Sequence, residues 1–397
     1  MPTADRSSAK SKSHNRFGGI TRCKTQFRPK NPLMRKVQDL LGNCPEPSLA
    51  LMLRIADVRL AFFSETRKLG GSHKIHLVVQ HFYDAIETGR LRAGGAVVIP
   101  SSGSTGITTA AVSRLLGIGC TVIVPEGTSG AKLNLLSQAG AKIETEPSLD
   151  ACVKRARAVA AESNCFLLDQ FAPAPTGLSG KSMPQLHFQA VKNHFGRLPN
   201  ETILAFGTGV TELEFRRDVT RRGLGVEITD AAVEGGVSMP FYCDGDSSAR
   251  GQISHKIEGV NTVFVPNSAC RMAVDRSEPI PPVAAFATCL ELGESGLHCG
   301  PSSGLAAYCA LARAHQRQGT GPTLISVPVF DAAVRYPDTL LNDAYLASLE
   351  PELSIYRRQI RVFIKAEYWM RPPCCACPDK LRVMGGVPNL PQASVTA

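Results

Sequence analysis

Apolar residues recur along this chain in two alternating rhythms: short runs rich in Val, Ile, Leu and Cys, and longer stretches with one apolar face. From about Gly42 onward the pattern predicts strand over Ala96–Pro100, helix over Thr105–Leu116, strand over Cys120–Pro125 and helix over Gly130–Ala139. It continues with strand over Ala141–Thr145, helix over Leu149–Glu162, strand over Cys165–Leu168 and helix over Lys181–Phe195. Thr202–Phe206 reads as strand, with helix from about Glu212 to Arg222. After an irregular stretch come a helix over Ser303–Gln316 and a strand over Thr323–Val329. Buried strands alternating with amphipathic helices make an α/β fold with parallel sheets covered on both faces. Ligands in such folds sit beyond the carboxyl ends of strands, in the loops that lead into helices.

Three loops in such positions are rich in Gly, Ser and Thr. Ser101-Ser102-Gly103-Ser104-Thr105-Gly106 follows the Ala96–Pro100 strand, and its hydroxyls and amides at a helix start suit a carboxylate. Gly207-Thr208-Gly209-Val210-Thr211 follows the Thr202–Phe206 strand, where glycine backbone can wrap its N–H groups round a phosphate. Gly300-Pro301-Ser302-Ser303-Gly304 opens a helix. Any one of these also reads as an ordinary capped turn. A fourth stretch shifts that balance. Leu69-Gly70-Gly71-Ser72-His73-Lys74 sets a lysine after a Gly-Gly bend, at the head of an apolar-periodic run (Ile75, Val78, Val79, Phe82). A lysine there points inward, and a partly desolvated amine is neutral often enough to form a Schiff base with a carbonyl cofactor. No glycine loop carries the Gly-Lys-Ser/Thr of a nucleotide P-loop, and there is no dinucleotide fingerprint.

Composition narrows the classes. The chain of 397 residues has ample length for a large core, and no apolar run is long enough to span a bilayer. The net charge of +10 is concentrated at one end: residues 1–36 hold ten Lys or Arg against one Asp, which leaves about +1 for the remainder. The basic character therefore belongs to a tail, expected to be disordered over residues 1–38, and nucleic acid and membrane are not expected partners. The tail is serine-rich and poor in acids, so organellar targeting is the alternative to a cytoplasmic location. Thirteen cysteines scattered through apolar segments fit reduced, buried thiols. Cys374, Cys375 and Cys377 have no second Cys or His pair nearby, and no metal site is expected.

The order and spacing of these stretches resemble the pyridoxal-phosphate enzymes of the cysteine synthase and cystathionine β-synthase group, the fold type II, tryptophan synthase β-like class. That group's Asn-Pro-Gly-Gly-Ser-x-Lys is matched by Lys68–Lys74, its Thr-Ser-Gly-Asn-Thr-Gly by Ser101–Gly106, and its Gly-Thr-Gly-Gly-Thr by Gly207–Thr211. Its His-Lys-Ile-x-Gly-Ile-Gly stretch is matched by His255–Asn261, its Gly-x-Ser-Ser-Gly by Gly300–Gly304, and its Asp-x-x-x-Arg-Tyr-x-x-Thr by Asp331, Arg335, Tyr336 and Thr339.

The resemblance implies two three-layer αβα subdomains with the cofactor between them. It places the catalytic domain over residues 39–346, a smaller mobile subdomain at about 78–182 within it, and an extension over 347–397 as a lid, a dimer arm or disordered chain. It implies Lys74 as the cofactor-bearing base, and Ser104, Gly207, Thr208, Gly209, Val210, Thr211 and Ser302 as cofactor contacts. Ser101, Ser102, Gly103, Thr105, Gln170 and Gly259 would face the substrate. The implied reaction is β-replacement on an O-activated serine (O-acetylserine, O-phosphoserine or serine) through an aminoacrylate, giving cysteine or a related β-substituted alanine, in a homodimer. A β-eliminating dehydratase or racemase, or a non-catalytic binding protein on the same fold, are the alternatives. Several positions depart from the group: Ser104 stands for an Asn, Val210 for a Gly, Lys68-Leu69 for Asn-Pro, Ile75 for an Asp and Asn261 for a Gly.

Overall fold

The computed structural model describes residues 31–162, 165–172, 182–252, 257–260, 264–366 and 375–376. The first element is a helix where the sequence implied tail. Asn31 accepts the amide of Leu33 at 2.9 Å and Pro32 opens the helix, so an Asn cap followed by proline starts α1 (Pro32–Gly42). Leu33, Met34 and Val37 are buried, so residues 32–38 are packed helix and not disordered chain. Residues 1–30 lie outside the described residues.

A hairpin follows, β1 (Ser48–Ile55) and β2 (Val58–Ser64), and then α2 (Lys74–Glu87). The smaller sheet is built from β3 (Ala96–Pro100), β4 (Gly119–Pro125), β5 (Lys142–Glu146) and β6 (Phe166–Leu167), connected through α3 (Ser104–Leu116), α4 (Gly130–Gln138) and α5 (Leu149–Glu162). The chain then runs through α6 (Met183–Phe195), β7 (Glu201–Leu204), α7 (Val210–Arg222), β8 (Glu227–Val233), β9 (Arg276–Ile280), α8 (Pro282–Glu294), α9 (Pro301–Gln316) and β10 (Thr323–Val329). It closes with α10 (Asp343–Ala347), α11 (Glu352–Ala366) and β11 (Cys375–Ala376).

The small sheet has the order β5-β4-β3-β6 and is parallel throughout. The large sheet has the order β1-β2-β10-β7-β8-β9-β11, parallel except for the β1–β2 hairpin and the β9–β11 edge. In each sheet the strand order reverses once, between β3 and the edge strand β6 and between β10 and β7. Such a reversal sends the two following connections to opposite faces and leaves a crevice at the carboxyl edge. The predicted loops sit at these two crevices: Ser101–Gly106 and Gln170 at one, Gly207–Thr211 and Asp331 at the other.

Each sheet has its own core. One gathers Phe62, Phe206, Ile228, Phe286 and Val327; the other gathers Val79, Phe82, Ile99, Val122 and Leu136. Helix α2 serves both units: Ile75, Val78, Val79 and Phe82 enter the small core, while Leu77 packs on Val210 of α7. Helix α11, in the extension, packs on α8. There Glu291, almost fully buried, accepts Arg357 and Arg361, both at 2.6 Å.

Candidate active site

The lysine loop is held by a bend that only glycine can make. Gly70 and Gly71 have φ of 78° and 66°, and a Cβ on Gly70 would stand 2.4 Å from the Thr108 hydroxyl of α3. The bend ends on Ser72, whose hydroxyl accepts the Lys74 amide at 3.2 Å. Ser72 also bridges Asp331, and the His73 amide donates to the Phe330 carbonyl at 2.9 Å, so the end of β10 fixes the head of α2. Lys74 is the first residue of α2 and half-buried. Burial is the largest influence on its amine and lowers its pKa; Glu212, Glu214 and Asp331 pull the other way.

Beneath the loop lies a cluster that sequence reasoning missed. Glu65, Lys68 and His76 are all buried, and one Glu65 oxygen lies 3.0 Å from both the Lys68 amine and His76 Nε2. Burial pushes the Glu65 carboxyl up, but His76 and Lys68 outweigh it, and the net shift is downward. Lys68 stands where the resembling group has an asparagine; here its charge is matched inside the fold. The available signal was three ionisable residues spaced three and eight apart around the Gly-Gly bend, which also reads as solvated surface.

The Gly207–Thr211 loop turns from β7 into α7. Gly209 takes the left-handed conformation (φ 75°), and Val210 follows as the first helical residue. The β-branched side chain in place of glycine therefore carries no strain. A Cβ on Gly207 would stand 2.1 Å from the Gly259 carbonyl, so the two strands of chain approach at backbone distance. Among the described residues, the amides of Thr208, Gly209 and Thr211 donate to no protein group. Orphan donors at a helix N-terminus, over glycine backbone, suit a phosphate.

The remaining residues converge on the same crevices. Ser101 and Thr105 are buried, Ser102 and Gly103 are partly exposed, and a Cβ on Gly103 would meet nothing within 4 Å. Gln170 donates to the Pro100 carbonyl at 3.2 Å, which sets it beside that loop. Ser104, expected at the cofactor, donates to Asp331 at 3.1 Å; the same carboxylate oxygen accepts the Tyr336 hydroxyl at 2.7 Å. Ser104 of α3 is thereby tied to the residue that follows β10. Ser302, in the first turn of α9, is buried, and its hydroxyl has no hydrogen bond among the described residues. His255, Lys256 and Asn261 lie outside the described residues, while Glu258 and Gly259 are within them. Arg250 donates to the Ser248 and Ala249 carbonyls, not toward the site. Among the described residues no cluster of His, Cys, Asp or Glu could hold a metal ion.

Two facing α/β units, with a desolvated lysine at the head of a helix that spans them and an anion cradle opposite, define an enzyme that works through a carbonyl cofactor bearing a phosphate. A family model described as "Pyridoxal-phosphate dependent enzyme" matches residues 49–328, and the chain belongs to that family. Its cofactor is pyridoxal 5′-phosphate, and the glycine cradle, with the amides and the Ser302 hydroxyl that lack partners among the described residues, fits that group. The chain is 25% identical over 298 residues to the L-cysteine desulfhydrase Cds1 of Mycobacterium tuberculosis, covering 74% of this chain and 81% of that one. It is 27% identical over 312 residues to the cystathionine beta-synthase of Oryctolagus cuniculus, covering 72% of this chain but only 53% of that longer protein. The fold matches a crystal structure of O-ureido-L-serine synthase with a TM-score of 0.66 at 23% identity, over 78% of this chain and 98% of that one.

Proposed function

We propose that this protein carries out β-replacement on an O-activated serine, such as O-acetylserine, O-phosphoserine or serine, making cysteine or a related β-substituted alanine. The observation that supports the reading best is the placement of Lys74: a desolvated amine at the head of α2, opposite the orphan amides of α7. When bound, pyridoxal phosphate supplies an electron sink that acidifies the Cα–H of an amino acid. The chain's residues then divide the remaining work. Lys74 anchors the cofactor and moves the Cα proton, which its lowered pKa suits, since an amine accepts a proton only when it is unprotonated. Gly207, Thr208, Gly209, Val210 and Thr211 hold the phosphate, and Ser302 faces the pyridine nitrogen as a neutral partner. Ser101, Ser102, Gly103 and Thr105 receive the substrate carboxylate, with Gln170 and Gly259 at the flanks, and Ser104 acts through Asp331. The related desulfhydrase favours a second reading, β-elimination, in which the same proton transfer occurs and no nucleophile adds.

The test is an absorbance spectrum of the purified protein, before and after each serine donor, with products identified. The visible band of the loaded protein is expected to change with one donor and to be missing in Lys74→Ala. A β-substituted alanine supports replacement; pyruvate and ammonia alone support elimination. A protein that takes up no pyridoxal phosphate sinks both readings.

A further inference from the structure

The anion cradle of α7 contains an acid of its own. Glu212 is the third residue of that helix, wholly buried, and neither carboxylate oxygen has a hydrogen-bond partner among the described residues. That position normally suits a carboxylate, because the side chain reaches back toward the unsatisfied amides and the positive end of the helix dipole. Here the neighbouring amides of Thr208, Gly209 and Thr211 are the cradle for a dianionic phosphate, and a second negative charge buried at the same helix end opposes it.

The surrounding groups sharpen the conflict. Asp230 of β8 faces Glu212 and is held by Ser277 and the Phe206 amide. Lys74 of α2 is the opposing charge that acts on it, shared with Glu214, which has a buried unpartnered oxygen of its own. From the other elements packed on α7, His187 of α6 is engaged with Ser326, Arg271 reaches the Cys243 carbonyl, and Arg216 of α7 itself pairs with Asp275.

We infer that Glu212 is a positioning residue of the phosphate site that must be protonated while phosphate is bound, so that cofactor binding and Glu212 ionisation exclude one another. The inference rests on the α7 cradle as the phosphate site. Burial, with Asp230 next, pushes the Glu212 carboxyl up to about 8, while its own amide and Lys74 pull back. The acid is thus neutral at pH 7 and compatible with phosphate. Above pH 8 it ionises, and binding must then take a proton from solvent.

Pyridoxine 5′-phosphate is the probe, because its alcohol forms no Schiff base with Lys74 and its phosphate is already a dianion above pH 7. Isothermal titration calorimetry between pH 7 and 9, in buffers of different ionisation enthalpy, reads affinity and proton uptake together. Wild type is expected to take up a proton on binding near pH 9 and to weaken by up to about tenfold per pH unit above pH 8. Glu212→Gln should hold its affinity nearly constant between pH 7 and 9, where wild type weakens, and take up correspondingly less proton. Glu212→Leu, which buries no amide, should do the same and covers a failure of the glutamine variant to fold. Burial also pushes Asp230 and Glu214 up to about 7, so unchanged proton uptake in these variants would assign the titration to Asp230, Glu214 or Lys74 and overturn the inference. Weaker binding at every pH would mark Glu212 as packing only and overturn it equally. If neither wild type nor variant binds the probe at any pH, the cradle itself is misassigned and the cofactor reading falls first.

Discussion

Lys68 shows how a single side chain can look like a defect in the sequence and act as a support in the fold. Its amine, the Glu65 carboxylate and His76 share one buried contact set at 3.0 Å. Removing Lys68 leaves the buried Glu65 carboxylate with His76 as its remaining partner, and losing part of a buried charge network costs more than the intact pair contributes. Lys68→Met is therefore expected to lose about 3–5 kcal/mol in urea denaturation. A loss below about 1 kcal/mol would mean that His76 alone compensates Glu65, or that Glu65 takes a proton. The linkage has a fixed sign. Glu65 has a folded pKa below its unfolded value, so its contribution is present at neutral pH and fades as pH falls through the folded value. Lys68→Met should flatten the acid limb of the stability curve. None of this was legible in the sequence. Charges three and eight residues apart become neighbours only because the Gly70-Gly71 bend folds the chain back and α2 presents His76 to the same side.

At the scale of elements, the loops were legible because glycine spacing reports backbone approach. The α3 start illustrates it. A Cβ on Gly106 would lie 2.2 Å from the Ser101 carbonyl, whereas Gly103, three residues earlier, faces open space. Gly106→Ala is expected to displace the Ser101 loop, weakening substrate binding at least tenfold and destabilising by about 1–3 kcal/mol. Gly103→Ala should leave the melting temperature nearly unchanged. Equal effects would show that the loop adapts freely. The same logic explains why Val210 is tolerated: the positive φ falls on Gly209, one residue before. Element edges read from periodicity were close, with Ala96–Pro100, Leu149–Glu162 and Thr323–Val329 recovered at both ends. Elements outside the regular strand–helix alternation, such as α1, the alternating strand β1 and α11, were not read from the sequence. Helix α8 is buried along nearly its whole length, so it shows no polar face to count.

Across the whole molecule, polar ties among the described residues join the two units beyond the Ser104–Asp331 contact. Lys132 of α4 pairs with Glu258 at 2.6 Å, and Ser129 donates to Asp338. A partly exposed ion pair of this kind contributes about 1 kcal/mol or less to stability. Lys132→Ala should therefore barely move the denaturation midpoint, yet raise hydrogen exchange along α4, the element it tethers. Unchanged exchange would show that α4 is held by its own sheet alone. Farther out, α11 is anchored by Glu291 between Arg357 and Arg361, so the extension is part of the large unit as far as Ala366. No helix among the described residues is long and apolar enough to cross a membrane.

The sequence by itself determined the alternation of strand and helix, the family, and which loops stand at strand ends, because periodicity and glycine spacing are local properties of a chain. The tertiary structure alone decided what those loops face. It brought Ser104 to Asp331 across 227 residues, matched Lys68 to Glu65, and buried Glu212 without a hydrogen-bond partner in the first turn of α7. Pairings of charge depend on burial and on contacts distant in sequence, and neither is written in the spacing of residues along one strand or one helix.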